Sequence, residues 1–223
     1  MRRWTAAACL LCAAKADPSG LCPACHSSLV RLPATHCPLC AAPGPLAETC
    51  GRCLKHPPAY DKICAALVYE YPVDLLVQGL KYRGQLACAR PLAQILADRL
   101  ESEPYPDLVI PMPLSAQRLA ERGFNQAKEI ARIVAADFGL RLNANLCRRP
   151  RHSAAQASLP WKMRAANVRN AYLCDQDLRE LDIAVVDDVL TTGATMHEVA
   201  KTLKRQGARS VIGWVVARTP RPA

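Results

Sequence analysis

Leu181 to Thr195 reads L-D-I-A-V-V-D-D-V-L-T-T-G-A-T. Ile183 to Val186 is a short apolar run, mostly β-branched, the pattern of a strand buried on both faces of a parallel sheet. It ends in two acids, Asp187 and Asp188. A turn of small residues follows, Thr191, Thr192, Gly193, Ala194 and Thr195, and then a helical pattern with Val199, Ala200 and Leu203 on one face. Small side chains let backbone N–H groups close on an anion, and the positive end of a helix dipole favours it. Two carboxylates repel a phosphate but accept hydrogen bonds from vicinal hydroxyls. A sugar phosphate satisfies both halves. Helix capping by the threonines is the simpler alternative, and it leaves the acid pair unexplained.

The stretch resembles the 5-phosphoribosyl-1-pyrophosphate (PRPP) loop of type I phosphoribosyltransferases, a hydrophobic run followed by D-D, two apolar residues and T-T-G-x-T. The resemblance implies that Asp187 and Asp188 hold the ribose hydroxyls and that the backbone from Thr191 to Thr195 holds the 5-phosphate.

The 223 residues leave room for one sizeable domain and a small appendage. Just over half are apolar, enough for a core, and no apolar run reaches the ~18 residues of a membrane span. A net charge of +10 suits an acidic partner, whether phosphorylated small molecule or nucleic acid. Met1-Arg2-Arg3 followed by an apolar run imitates a signal peptide. Cys9 and Cys12 lie within that run, however, and belong to a larger pattern.

Eight of the twelve cysteines form four C-x-x-C knuckles: Cys9/Cys12, Cys22/Cys25, Cys37/Cys40 and Cys50/Cys53. The spacing C-x2-C-x9-C-x2-C occurs twice, each cysteine of the second copy lying 28 residues after its counterpart. Two structural Zn2+ sites of four thiolates each are the simplest reading of this duplication. Sequential pairing follows from the repeat, while an interleaved cross-brace also uses all eight thiolates. His26, His36 and His56 read as bystanders. Disulfides and an iron–sulfur cluster are the alternatives, but four-residue disulfide loops are poor staples, so the doublets point to a reducing, cytoplasmic setting. Cys64, Cys88, Cys147 and Cys174 are scattered and read as small buried apolar residues.

At L-K-H-P-P-A-Y, Leu54 to Tyr60, the composition turns to that of a linker. The expected division is a double zinc-knuckle (zinc-ribbon-like) module over residues 1–58 and an α/β domain over 59–223. Beyond the linker, Ile63 to Tyr71 reads as a strand, Val73 to Tyr82 as a helix running out into K-Y-R-G, and Pro91 to Leu100 as a second helix. Asp107 to Met112 reads as a strand stopped by Pro113. Met196 to Gln206 reads as a helix followed by Gly207, and Ser210 to Ala217 as the last strand. Strands alternating with helices, with ligand loops at strand C-termini, predict a mainly parallel sheet flanked by helices.

A second chemical segment runs from Pro111 to Gln126, P-M-P-L-S-A-Q-R-L-A-E-R-G-F-N-Q. It delivers Arg118 and Arg122, read here as lying on a loop, just before a helix carrying Ile130, Val134 and Phe138. Two arginines so placed can grip a diphosphate bidentately. A solvated basic helix start is the competing reading.

Taken in order, the cysteine repeat, P-M-P-L-x-x-x-R-x-x-x-R-G-F-N-Q and V-V-D-D-V-L-T-T-G-A-T resemble the ComF family of competence-associated, phosphoribosyltransferase-like proteins, over essentially the whole chain. The resemblance implies a type I phosphoribosyltransferase-like fold, PRPP brought with Mg2+, and a role in natural competence, DNA uptake or the use of DNA as a nutrient. Single-stranded DNA and the uptake machinery are the partners it implies.

Between the two sites, Arg148 to Asn170 carries six Lys/Arg and no acid. It resembles the mobile loop that folds over the diphosphate in type I phosphoribosyltransferases, making Gln156, Lys162 and Arg164 candidate contacts. A nucleic-acid patch with Trp161 as a stacking face is the alternative. The sequence continues six residues past Ala217 without a segment for a nucleobase hood, which leaves the cysteine module as a candidate cover. Two functions stand at this point. One is a phosphoribosyltransferase, with Asp187 and Asp188 as catalytic residues and Arg118, Arg122 and Mg2+ neutralising the departing diphosphate. The other is a non-catalytic protein that handles single-stranded DNA with the same phosphate pocket.

Overall fold

Four apolar segments form one sheet in the computed structural model, which describes residues 8–150 and 171–220. They are β1 (Lys62–Val68), β2 (Leu108–Pro111), β3 (Asp182–Leu190) and β4 (Ser210–Arg218), hydrogen-bonded in the order β1-β4-β3-β2. All three pairings are parallel, as expected for strands apolar on both faces. The expected strand over 183–186 is longer than its apolar run. It continues through both acids to Leu190, because β4 keeps pairing with it as far as Arg218.

The side chains alternate across the sheet into two cores. On one face Cys64, Ala66, Val109, Ala184, Val186, Trp214 and Val216 meet helices α3 (Val73–Tyr82), α4 (Ala89–Leu100) and α6 (Gln126–Asp137). The other face, with Ile63, Ala65, Ile110, Val185, Val211 and Val215, meets Met196, Val199, Ala200 and Leu203 of α7 (Ala194–Arg205). A short helix, α5 (Ala116–Arg122), follows β2. No helix among the described residues is long and apolar enough to cross a membrane.

The duplication in the sequence is repeated in the hydrogen bonds. Cys9 N–H donates to the Ala14 carbonyl and Ala13 N–H to that of Cys9; 28 residues on, Cys37 donates to Ala42 and Ala41 to Cys37. Ala13 and Ala41 both take positive φ, 62° and 52°. The short helices α1 (Pro23–Ser27) and α2 (Gly51–Lys55) stand in the same relation.

The two copies lie on opposite faces of the sheet. Cys9, Leu21, Cys22 and Leu29 join the core that contains α3 and α4, whereas Cys37, Cys40, Ala41, Ala42 and Cys53 join the core that contains α7. The segment between the copies crosses the sheet edge. There Leu32 N–H donates to Ala66 and Val68 N–H to Val30, at 2.9 Å each, which covers the exposed side of β1. Residues 141–143 cover β2 in the same way, through Val109 to Arg141 and Asn143 to Val109.

Candidate functional site

Beyond Pro111 the chain leaves the sheet, while β3 runs on, so Asp187 and Asp188 stand where β3 has lost its neighbour on that side. Each carboxylate accepts from the next backbone N–H: Asp187 Oδ1 from Asp188 at 2.9 Å, Asp188 Oδ1 from Val189 at 2.8 Å. Asp188 is buried, and its Oδ2 lies 2.8 Å from Lys81 Nζ, a side chain that is itself mostly buried. Loss of solvent raises the Asp187 carboxyl well above the ordinary carboxylate range, the neighbouring Asp188 charge adds to the rise, and Lys81 opposes it. The acids are thus closely packed, fixed by their own backbone and one cation.

After Leu190 the loop turns through Gly193, whose φ of 78° suits glycine. A Cβ there would lie 3.0 Å from the Tyr60 hydroxyl, a tight approach to which Tyr60 would have to yield by a few tenths of an ångström. Gly193 is the N-cap of α7 and, as a glycine, has no side chain with which to cap that helix end. A 12-residue helix therefore presents its first N–H groups, and its positive end, beside two carboxylates. Thr192 Oγ1 accepts from Ala194 N–H, the first of that helix, at 3.3 Å.

Arg118 and Arg122 are on helix α5, a correction to the expected loop: Ser115 caps its start, accepting from Arg118 N–H, and Gly123 ends it at φ 77°. Four residues apart, the two arginines share one helix face. Arg118 is exposed. Arg122 stacks 5.3 Å from the centre of the Tyr82 ring and donates to Gln126 Oε1 at 2.9 Å. Asn125 caps α6 and its Nδ2 donates to the Met112 carbonyl at the end of β2. R-G-F-N-Q is thus largely a brace that fixes the arginine helix beside the sheet's C-terminal edge.

Three residues near the acids carried no signal strong enough to single them out. Lys81 lay in the polar K-Y-R-G end of α3, where the pattern shows a lysine but not its buried target. Tyr172 is buried, and its hydroxyl has no hydrogen-bond partner among the described residues. Burial raises its phenol to about 12, Arg149 opposes the rise and Asp187 adds to it. The Arg149 guanidinium lies 5.7 Å from its ring centre. Arg218 had no pattern of its own; it is buried at the end of β4 and donates to the carbonyls of Leu190 and Thr191 at 3.0 and 2.6 Å.

Lys162, Arg164, Gln156 and Trp161 lie outside the described residues. The residues flanking that segment are joined: Arg148 and Leu173 exchange backbone hydrogen bonds at 2.8 and 2.9 Å, and Arg148 pairs with Asp175.

The eight knuckle cysteines gather as two groups, Cys9/Cys12/Cys22/Cys25 and Cys37/Cys40/Cys50/Cys53, with the sulfurs of each group within 4.8 Å of one another. Pairing is therefore sequential, and the histidines belong to neither group. Cys12 and Cys22 sulfurs are 3.6 Å apart, Cys40 and Cys50 sulfurs 3.8 Å. Tetrahedral zinc with Zn–S of about 2.3 Å requires sulfur separations of about 3.8 Å. The donor sets fit zinc. Burial opposes ionisation of Cys9, yet N–H groups from Cys12, Leu11 and Cys22 bring its thiol down to about 6. Cys64, Cys88, Cys147 and Cys174 are buried, as expected. Burial raises Cys64 and Cys147 to about 12.

The chain is 34% identical over 207 residues to the DNA utilization protein YhgH of Salmonella typhi, covering 90% of this chain and 91% of that one. It is 31% identical over 210 residues to competence protein F of Haemophilus influenzae, with the same coverage, and 27% identical over 217 residues to competence protein ComFC of Bacillus subtilis, covering 89% and 84%. No family model matches. Among solved structures, the purine phosphoribosyltransferase from Pyrococcus horikoshii aligns over 58% of this chain and 80% of its own, at 19% identity and a TM-score of 0.35.

Proposed function

Because the chain belongs to the family of competence protein F and the DNA-utilisation proteins, we propose that it binds PRPP, or a closely related phosphorylated sugar, while serving DNA uptake or the use of DNA as a nutrient. One observation carries the ligand: an acid pair near the end of a central parallel strand is followed, through a short turn of small residues, by the glycine-capped N-terminus of α7. Asp187 and Asp188 face the ribose hydroxyls, and the backbone of Thr191, Thr192, Gly193, Ala194 and Thr195 takes the 5-phosphate. Arg118 and Arg122 take the diphosphate, joined by Lys162 and Arg164 from the basic segment.

The magnesium that accompanies PRPP is a hard cation for oxygen ligands, and the acid pair supplies carboxylates of that kind. Zinc on the two cysteine groups is structural in this reading: four thiolates close each group and leave no open position for chemistry. Residues 1–58 form that zinc-bearing module and 59–223 the phosphoribosyltransferase-like domain, in the cytoplasm.

Transfer would proceed as diphosphate leaves and positive charge builds on the ribose, the acid pair stabilising that charge and the arginines the leaving group. The reading extends to transfer when an acceptor base releases diphosphate from PRPP. Screening bases by a diphosphate assay tests this, with an Asp187→Asn/Asp188→Asn chain as control. Diphosphate release that requires both acids supports transfer; none with any base restricts the function to binding.

A second reading rests on the net charge of +10 and on the names of the relatives. Here single-stranded DNA offers its phosphates to the same loop, without turnover. A salt titration of single-strand binding tests it, since each phosphate contact adds to the slope of log K against log salt. A slope that Asp187→Asn/Asp188→Asn and PRPP leave unchanged would place DNA elsewhere on the surface.

A further inference from the structure

Arg218 is 4% exposed and sits between two segments far apart in sequence. Its Nε donates to the Cys40 carbonyl at 3.0 Å. Its Nη1 reaches the carbonyls of Leu190 and Thr191, where β3 becomes the phosphate loop. The remaining bonds go to Thr219, so every acceptor named for it is a neutral oxygen. A buried guanidinium is costly unless negative charge lies close. The buried Glu198 lines the same cavity as Arg218, and the Cys40 group would add to it, since four thiolates around a divalent metal carry a net charge of −2.

A second contact runs in parallel. Tyr60 follows the second cysteine repeat, and its hydroxyl abuts Gly193 of the loop. Between them, Cys40, Cys53, Tyr60, Gly193, His197 and Arg218 line a cavity of about 250 Å³. The first cysteine group has no equivalent among the described residues. It packs on the opposite face of the sheet, against the core of α3 and α4.

We propose that Arg218 is a positioning residue through which the second cysteine group sets the shape of the phosphate loop. Metal on Cys37, Cys40, Cys50 and Cys53 then strengthens phosphosugar binding, and by reciprocity the phosphosugar tightens that metal, whereas metal on the first group does neither. The ligand half of this inference rests on the proposed function; the coupling between metal group and loop does not.

The test uses the full zinc-loaded chain and its Arg218→Gln, Cys40→Ser/Cys53→Ser and Cys12→Ser/Cys25→Ser variants. Two readouts are taken: backbone hydrogen exchange over residues 190–195, and PRPP affinity by calorimetry. Expected are at least tenfold faster exchange and at least tenfold weaker binding for the first two variants, with changes under twofold for the last. A third measurement needs no substitution: saturating PRPP should slow the chelator-driven release of one of two zinc ions in the wild-type chain. Equal loop exchange in both cysteine variants, or unchanged exchange in Arg218→Gln, would overturn the coupling. Absence of PRPP binding to wild type would instead sink the phosphosugar reading, and the exchange comparison would still decide the coupling. Should a variant fail to fold, the wild-type chain, once calorimetry has shown PRPP bound, decides alone: slowed release of one zinc supports the coupling, and release of both at unchanged or equally slowed rates overturns it.

Discussion

Lys81 Nζ stands 2.8 Å from Asp188 Oδ2, a buried ion pair joining the last turn of α3 to the acidic end of β3. Breaking a buried pair by removing one partner leaves a charge without solvent or counter-ion. Lys81→Met should therefore destabilise the chain by about 3 kcal/mol in urea unfolding. The double variant Lys81→Met/Asp188→Asn should recover a substantial part of that loss, and additive losses would show that the pair is not coupled.

The neighbouring acid behaves oppositely. Asp187 is raised above its ordinary value of 3.8, chiefly by burial and then by Asp188, so the folded chain favours its protonated form. Its contribution to stability is complete below pH 3.8 and is lost as pH rises through the raised value. Asp187→Asn should accordingly raise the Tm at pH 7, and the gain should vanish below pH 4, although the same change weakens PRPP binding. A lower Tm at pH 7 would contradict the direction of the shift. Opposition between stability and binding is common where a site concentrates like charge.

Gly193 should tolerate no side chain. Alanine there meets both a left-handed backbone, worth about 1–2 kcal/mol, and the Tyr60 hydroxyl. Gly193→Ala/Tyr60→Phe should restore a little stability but not PRPP binding, because the backbone penalty persists. Denaturant melts and calorimetry on both variants check this.

Metal analysis should find two zinc ions per chain. Cys12→Ser and Cys40→Ser should each lose one equivalent, and substitution of Cys64, Cys88, Cys147 or Cys174 should lose none. Chelation should unfold the cysteine repeats, which have little core beyond what they share with the sheet.

Periodic features carried well from sequence to structure. The 28-residue shift of the cysteines reappears in turns, short helices and sulfur distances. Helix α3 has the bounds that its apolar spacing predicts, Val73–Tyr82. What depends on distant partners did not carry. The strand holding Asp187 and Asp188 outlasts its apolar run because β4 pairs with it, a fact local to neither segment. Proline-rich flanks suggested a loop for Arg118 and Arg122, but Ser115 and Gly123 cap a short helix there. That the repeats straddle the sheet, and that Arg218 reaches Cys40 across 178 positions, are consequences of topology which spacing does not encode.

Phosphosugar binding at the acid pair is measured by calorimetry of the zinc-loaded chain with PRPP and Mg2+, beside Asp187→Asn/Asp188→Asn. Binding should be saturable and one-to-one, and the double substitution should weaken it at least a hundredfold while the fold, checked by circular dichroism, persists. Absence of binding to the folded wild type, or binding indifferent to both acids, would contradict the phosphosugar reading.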